Sequence, residues 1–350
     1  MLGVTGRLGW IGVVVFVAIP TIIATKPALG GQTSVNDHYV QSSAEADATL
    51  YLRERLPAGA DPKQLEKAVL FVHGATYPGV TFDLEIEGYD WMTQVARAGF
   101  AAYALDLRGY GRSTRPAAMM DPPEKNAPFS RAKDAVADVG DAVEFILDRT
   151  GAHRVDLVGW SWGTVITGMY AAEHGDKVDK LVLYAPIYSL ENPDGKAWLA
   201  DPGKQDELKQ LGAYRTVDFD QTSGRWASQI VPADKSQWRD EEVLQTWFAA
   251  LLATEPEGAE VVRAPNGVLV DLWEVFHARP LYDASRIEAP TLIIRGDADW
   301  DSTHEDAFGL FEALGAEDKQ YIVIGDATHF LSLEKRAPML IRQVQAFLED

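Results

Sequence analysis

Seven short apolar runs constrain what this chain can fold into: ATLYLRERL (48–56), KAVLFVHG (67–74), FAAYALDL (100–107), HRVDLVG (153–159), KLVLYAP (180–186), TLIIRG (291–296) and KQYIVIG (319–325). Most are continuously hydrophobic, as expected of strands buried on both faces of a parallel sheet. Helical patterns lie between them. Over residues 132–150, Val136, Val139, Val143 and Ile146 share one face, with Asp134, Asp138 and Asp141 opposite. Strands alternating with helices predict an α/β domain, a mostly parallel central sheet flanked by helices.

The alternation breaks between residues 190 and 284. No parallel strand is evident there, and helix-like pieces such as DELKQLGAY and EEVLQTWFAALLAT are joined by Pro- and Gly-containing connections. Five of the ten tryptophans fall in this stretch: Trp198, Trp226, Trp238, Trp247 and Trp273. An excursion of this kind between two strands reads as an inserted helical cap over the carboxyl ends of the sheet, where ligands of open α/β sheets bind. The expected organisation is a core over 48–189, a cap over 190–284 and the rest of the core over 285–350.

Residues 1–30 read as a secretory leader. Arg7 precedes the apolar run LGWIGVVVFVAIPTIIA, and Ala28 and Gly30 supply small residues for cleavage. A secreted or periplasmic protein is therefore expected, with an uncleaved anchor facing outside the cytoplasm as the alternative. The polar stretch 31–47 reads as a tether.

Composition removes whole classes of function. Net charge is −20, which disfavours nucleic acid and anionic membrane surfaces. No cysteine is present, so disulfides, thiolate nucleophiles and thiolate-bound zinc are excluded. There is no HExxH motif, dinucleotide glycine fingerprint or phosphate loop, so neither a metal nor an organic cofactor is expected.

Chemistry enters at VDLVGWSWGTVIT (155–167), where Gly-x-Ser-x-Gly stands between a strand and a helix. There Ser161 would sit on a strained turn that lifts its hydroxyl above the sheet. Gly159 and Gly163 would be small because the strand and helix come close. A serine needs a base and an orienting carboxylate, expected in the chain order Ser, acid, His. His329, past the last strand, is the expected base. Asp297, Asp299 and Asp301, past the preceding strand, are the candidate acids, and spacing alone does not choose among them. The N–H groups of Trp162 and Ala75 are the candidate oxyanion donors. His73 reads as a loop pin.

Taken together, HGATYPG, DLRGYGRS, GWSWG, GDADWD and ATHF resemble the α/β-hydrolase fold superfamily over nearly all of the chain after the leader. The resemblance implies Ser161 as nucleophile and His329 as base, and it selects Asp299 as acid. It also implies structural ion pairs for Arg108 and Arg112. Epoxide hydrolases and haloalkane dehalogenases carry aspartate at the elbow, which Ser161 is not. Prolyl iminopeptidases share the serine elbow but have a Gly-Pro-rich loop where this chain has HGATYPG. Extracytoplasmic bacterial carboxylesterases are the most similar group. The expected activity is thus cleavage of small or aromatic carboxylic esters through an acyl-enzyme, with Trp160, Thr76 and Trp300 as candidate substrate contacts. The alternatives are an aminopeptidase or amidase using Glu191, Glu255 or Glu257 for the substrate amine, a cofactor-free haloperoxidase or perhydrolase, and a non-catalytic binding protein. The expected partner is a small-molecule ester, and the oligomeric state is left open.

Overall fold

The computed structural model describes residues 31–350; the leader expected over 1–30 lies outside the described residues. The chain enters through an antiparallel hairpin, β1 (Thr33–Gln41) and β2 (Thr49–Pro57). This corrects the tether expected over 31–47. β1 is polar because it is an edge strand, and its cross-strand partners on β2 supply the order that its composition does not announce. Next come β3 (Ala68–Val72), α1 (Trp91–Arg97), β4 (Ala101–Asp106), α2 (Ala132–Arg149), β5 (Val155–Trp160), α3 (Trp162–Glu173) and β6 (Val178–Tyr184). β3 to β5 are buried along their whole lengths, consistent with their apolar runs.

Between β6 and the next strand of the main sheet the chain forms helices α4 (Pro193–Leu199), α5 (Phe219–Gln229), α6 (Glu241–Leu252) and α7 (Gly267–Phe276). It also forms two small antiparallel ribbons: β7 (Ala200–Asp201) with β8 (Lys204–Leu208), and β9 (Tyr214–Val217) with β10 (Val262–Pro265). The stretch beginning at Asp206, expected to be helical, instead continues β8 and leads into β9. The core resumes with β11 (Thr291–Gly296), α8 (His304–Ala313), β12 (Lys319–Ile324) and α9 (Ala337–Glu349).

The eight main strands run in the order β1-β2-β4-β3-β5-β6-β11-β12, parallel from β4 onward and antiparallel at the β1–β2 end. Apolar side chains bury two layers, one on each face of the sheet. On α2 the four predicted residues are buried, and so is Asp138, which was expected on the polar face. It accepts from Arg108 Nε at 2.7 Å, and burial raises its pKa to about 6 despite that pairing. No helix among the described residues is long and apolar enough to cross a membrane.

Candidate active site

β5 ends at Trp160 and α3 begins at Trp162, so Ser161 must turn the chain from strand to helix in one residue. Its φ of 57° and ψ of −123° are a conformation that a non-glycine residue rarely adopts. The flanking glycines make the turn possible. A Cβ on Gly159 would lie 2.6 Å from the Gly163 carbonyl oxygen, and one on Gly163 would collide with the carbonyl oxygens of Val72 and His73. The helix N-terminus then points its unpaired N–H groups toward the serine.

Three distant loops converge on that hydroxyl. His329 Nε2 lies 2.8 Å from Ser161 Oγ, and His329 Nδ1 lies 2.9 Å from Asp299 Oδ2. All three side chains are buried. Asp299 is fixed in turn by the N–H groups of Asp301 and Ser302, which donate to its Oδ1 at 3.0 and 2.9 Å. The other two aspartates face elsewhere: Asp297 accepts from the Ala327 N–H, and Asp301 from Arg225 and Gln229. Burial acts to lower the His329 pKa, but the Asp299 and Asp301 carboxylates and the Asp299 hydrogen bond outweigh it and leave the imidazole above its ordinary value.

The loop after β3 supplies the opposite wall. His73 Nε2 accepts the Leu107 N–H at 3.2 Å, so its Nδ1 carries the proton that goes to the Gly74 carbonyl at 2.8 Å. Burial lowers its pKa to about 4. A neutral imidazole thus pins the loop that carries Ala75. Among the described residues neither the Ala75 nor the Trp162 N–H donates to a protein acceptor. Of the two arginines in the following motif, Arg108 is ion-paired with Asp138, whereas Arg112 donates to the Tyr51 hydroxyl and covers its ring instead of pairing with a carboxylate.

Two spaces open on Ser161. A recess of about 30 Å³ lies among Gly74, Thr76, Tyr77, Trp160 and Phe330, room for a methyl-sized group. A cleft of about 1020 Å³ runs from Ser161 along the segment inserted between β6 and β11, walled by Ile187, Leu190, Leu269, Leu272 and Phe276. Thr76 borders both spaces. Trp160 lines the recess and is also packed into the core. Its ring is stacked between Tyr77 and Tyr184, and its indole N–H donates to the His329 carbonyl at 3.1 Å. Trp300 stands at the cleft mouth, 56% exposed. Of the five tryptophans between β6 and β11 only Trp198 lines the cleft. Trp226 and Trp247 are fully buried against Phe330.

The segment between β6 and β11 contributes residues that sequence reasoning missed. Gln229, at the end of α5, accepts the His329 N–H at 3.0 Å and donates to Asp301 at 2.7 Å. Arg225 pairs with Asp301 at 2.9 Å. Arg215, on β9, donates to the Ala75 carbonyl at 2.6 Å and to Thr76 Oγ1 at 2.8 Å. None carries a local signal, because each acts across more than 70 residues of chain or from inside an ordinary strand pattern. Asp299, Asp301 and His329 are the set among the described residues whose ligating atoms come within 4.8 Å of one another. Asp299 and Asp301 already accept hydrogen bonds from the groups just named, so a cation there would have to displace them.

Fold and site together define a hydrolase. Residues 67–336 match the model of the alpha/beta hydrolase fold family, and the chain belongs to that family. It is 33% identical over 108 residues to an epoxide hydrolase 3 of Siraitia grosvenorii, a match that covers 30% of each chain. It is 24% identical to a proline iminopeptidase of Neisseria gonorrhoeae over 73% of this chain and 82% of that protein. An esterase of Exiguobacterium antarcticum superposes with a TM-score of 0.61 at 18% identity, covering 90% of this chain and all of that one.

Proposed function

We propose that this protein is a serine hydrolase that cleaves carboxylic esters through an acyl-enzyme. The observation that carries the reading is the unbroken relay from Asp299 through His329 to Ser161, with 2.9 and 2.8 Å links. Ser161 Oγ attacks the ester carbonyl while His329 Nε2 takes its proton, and Asp299 stabilises the imidazolium. The N–H groups of Ala75 and Trp162 hold the oxyanion. His329 returns the proton to the departing alkoxide. It then activates the water that releases the acid and frees Ser161. The recess beside Ser161 favours esters with one short substituent, the other lying in the cleft.

The aminopeptidase alternative has weaker support. Glu255 is held by Arg115 and Arg263, Glu191 is exposed and bonded to Lys196, and Glu257 is exposed. None of them offers a buried, free carboxylate for an amine. A panel of acetate, benzoate and long-chain esters with aminoacyl anilides as a counter-screen tests the proposal. Ester turnover that disappears in Ser161→Ala is expected; faster turnover of the anilides would overturn it.

A further inference from the structure

Two arginines line the cleft, and only one is answered by a carboxylate. Arg225, its side chain 47% exposed, has Asp301. Arg215 is half-buried, and its Nη1 donates to the Pro265 carbonyl at 2.8 Å and Asn266 Oδ1 at 3.3 Å. Its Nη2 donates to the Ala75 carbonyl and to Thr76 Oγ1. All four acceptors are neutral. Among the described residues no carboxylate pairs with this guanidinium, and its Nε–H has no acceptor. Burial lowers the Arg215 pKa, and Arg225 acts in the same direction, so the two cations feel each other.

The chain has 52 acidic residues against 32 basic ones, so counter-ions are not scarce. Elsewhere they are used: Arg108 pairs with Asp138, Arg131 with Asp271, and Arg149 with Glu54. Arg112 and Arg295 also have no carboxylate partner, but Arg112 lies on the Tyr51 ring and hydroxyl, Arg295 is closed inside its own loop on the Ser302 and Asp299 carbonyls, and neither lines the cleft. Arg215 does. Holding an uncompensated cation partly out of water costs free energy, which a bound anion would offset. Thr76 adds a donor. Its oxygen accepts from Arg215, so its own hydroxyl proton remains to be given. The acids at the cleft mouth, Glu191, Asp194 and Glu305, are exposed, and solvent ions screen their repulsion.

We propose that Arg215, the Thr76 hydroxyl and the neighbouring Arg225 form a carboxylate-binding subsite beside Ser161, and that the preferred substrates are esters bearing a free carboxylate. This rests on Ser161 being the nucleophile. Charge-assisted hydrogen bonds discriminate by about tenfold or more between a carboxylate and a neutral twin.

The test compares kcat/KM for 4-acetoxybenzoate with that for 4-acetoxybenzamide, which match in size and shape, each rate divided by that ester's own rate of alkaline hydrolysis to remove the difference in leaving group. The wild-type ratio is expected to favour the carboxylate by about tenfold or more, and Arg215→Gln to bring it within about twofold of one. Arg215 also braces the Ala75 loop, so both rates fall in the variant; the ratio removes that shared loss. Arg215→Lys should keep part of the preference. Should Arg215→Gln fail to fold, Thr76→Val removes the second donor and is expected to lower the ratio at least about threefold. A wild-type ratio near one, or a ratio that these substitutions leave unchanged, overturns the subsite. Fluorophosphonate labelling separates the two failures: labelling of Ser161 without charge preference sinks only the subsite, and no labelling sinks the nucleophile as well.

Discussion

Beneath the cleft, Ser161 is held by backbone: a strained φ, two glycines with no room for a side chain, and a helix N-terminus. Across the cleft the segment inserted between β6 and β11 is held by side chains, Gln229 on His329, Arg225 on Asp301, Arg215 on Ala75 and Thr76, and Trp226 on Glu334. Backbone contacts of the first kind tolerate almost no substitution. Side-chain contacts of the second kind are separable, each contributing a fraction of what the floor contributes. On the proposed reading the floor carries the reaction and the roof tunes it.

Substitutions at the two levels should differ in kind as well as in size. Gly163→Ala is expected to prevent folding, because the new methyl meets the fixed carbonyls of Val72 and His73; a soluble, cooperatively melting variant would show that the elbow is looser than described. In Ser161→Ala the fold should persist while ester turnover drops by about a millionfold. Asp299→Asn is expected to cost about ten-thousandfold in kcat by leaving His329 with the wrong tautomer. On the roof, Gln229→Ala strips a buried His329 N–H of its acceptor. A stability loss of about 1–3 kcal/mol is expected, read by denaturant unfolding.

The smallest effect is the most diagnostic of how roof and floor communicate. The base must be neutral to accept the serine proton, so kcat/KM should rise with pH through an apparent pKa above the usual histidine value. Asp301→Asn removes one of the anions that favour the imidazolium. The rising limb should move to lower pH, so kcat/KM near neutrality increases slightly. A limb that stays in place would show that Asp301 does not act on His329.

The same contrast explains what could be read from the chain. β3, β4, β5, β6 and β11 were legible because each is an apolar run largely buried between two neighbouring strands, and β12, a half-exposed edge strand, was legible by its short apolar run alone. The elbow was legible because glycine spacing around Ser161 is local. The choice of Asp299 came from resemblance; in the fold, backbone N–H groups orient it toward His329 while Asp297 and Asp301 turn to other donors. β1 was missed because its partner strand, not its composition, makes it a strand. Between β6 and β11, Lys204–Leu208 became a ribbon through pairing with Ala200 and Asp201, and most of the tryptophans became core. Arg215 and Gln229 gain meaning only from what lies across the cleft.

Reaction of the wild-type protein with a fluorophosphonate, followed by peptide mapping, tests the central claim most directly. One adduct on Ser161 is expected, formed far more slowly in His329→Ala. An inert protein, or an adduct on a different residue, would contradict the account.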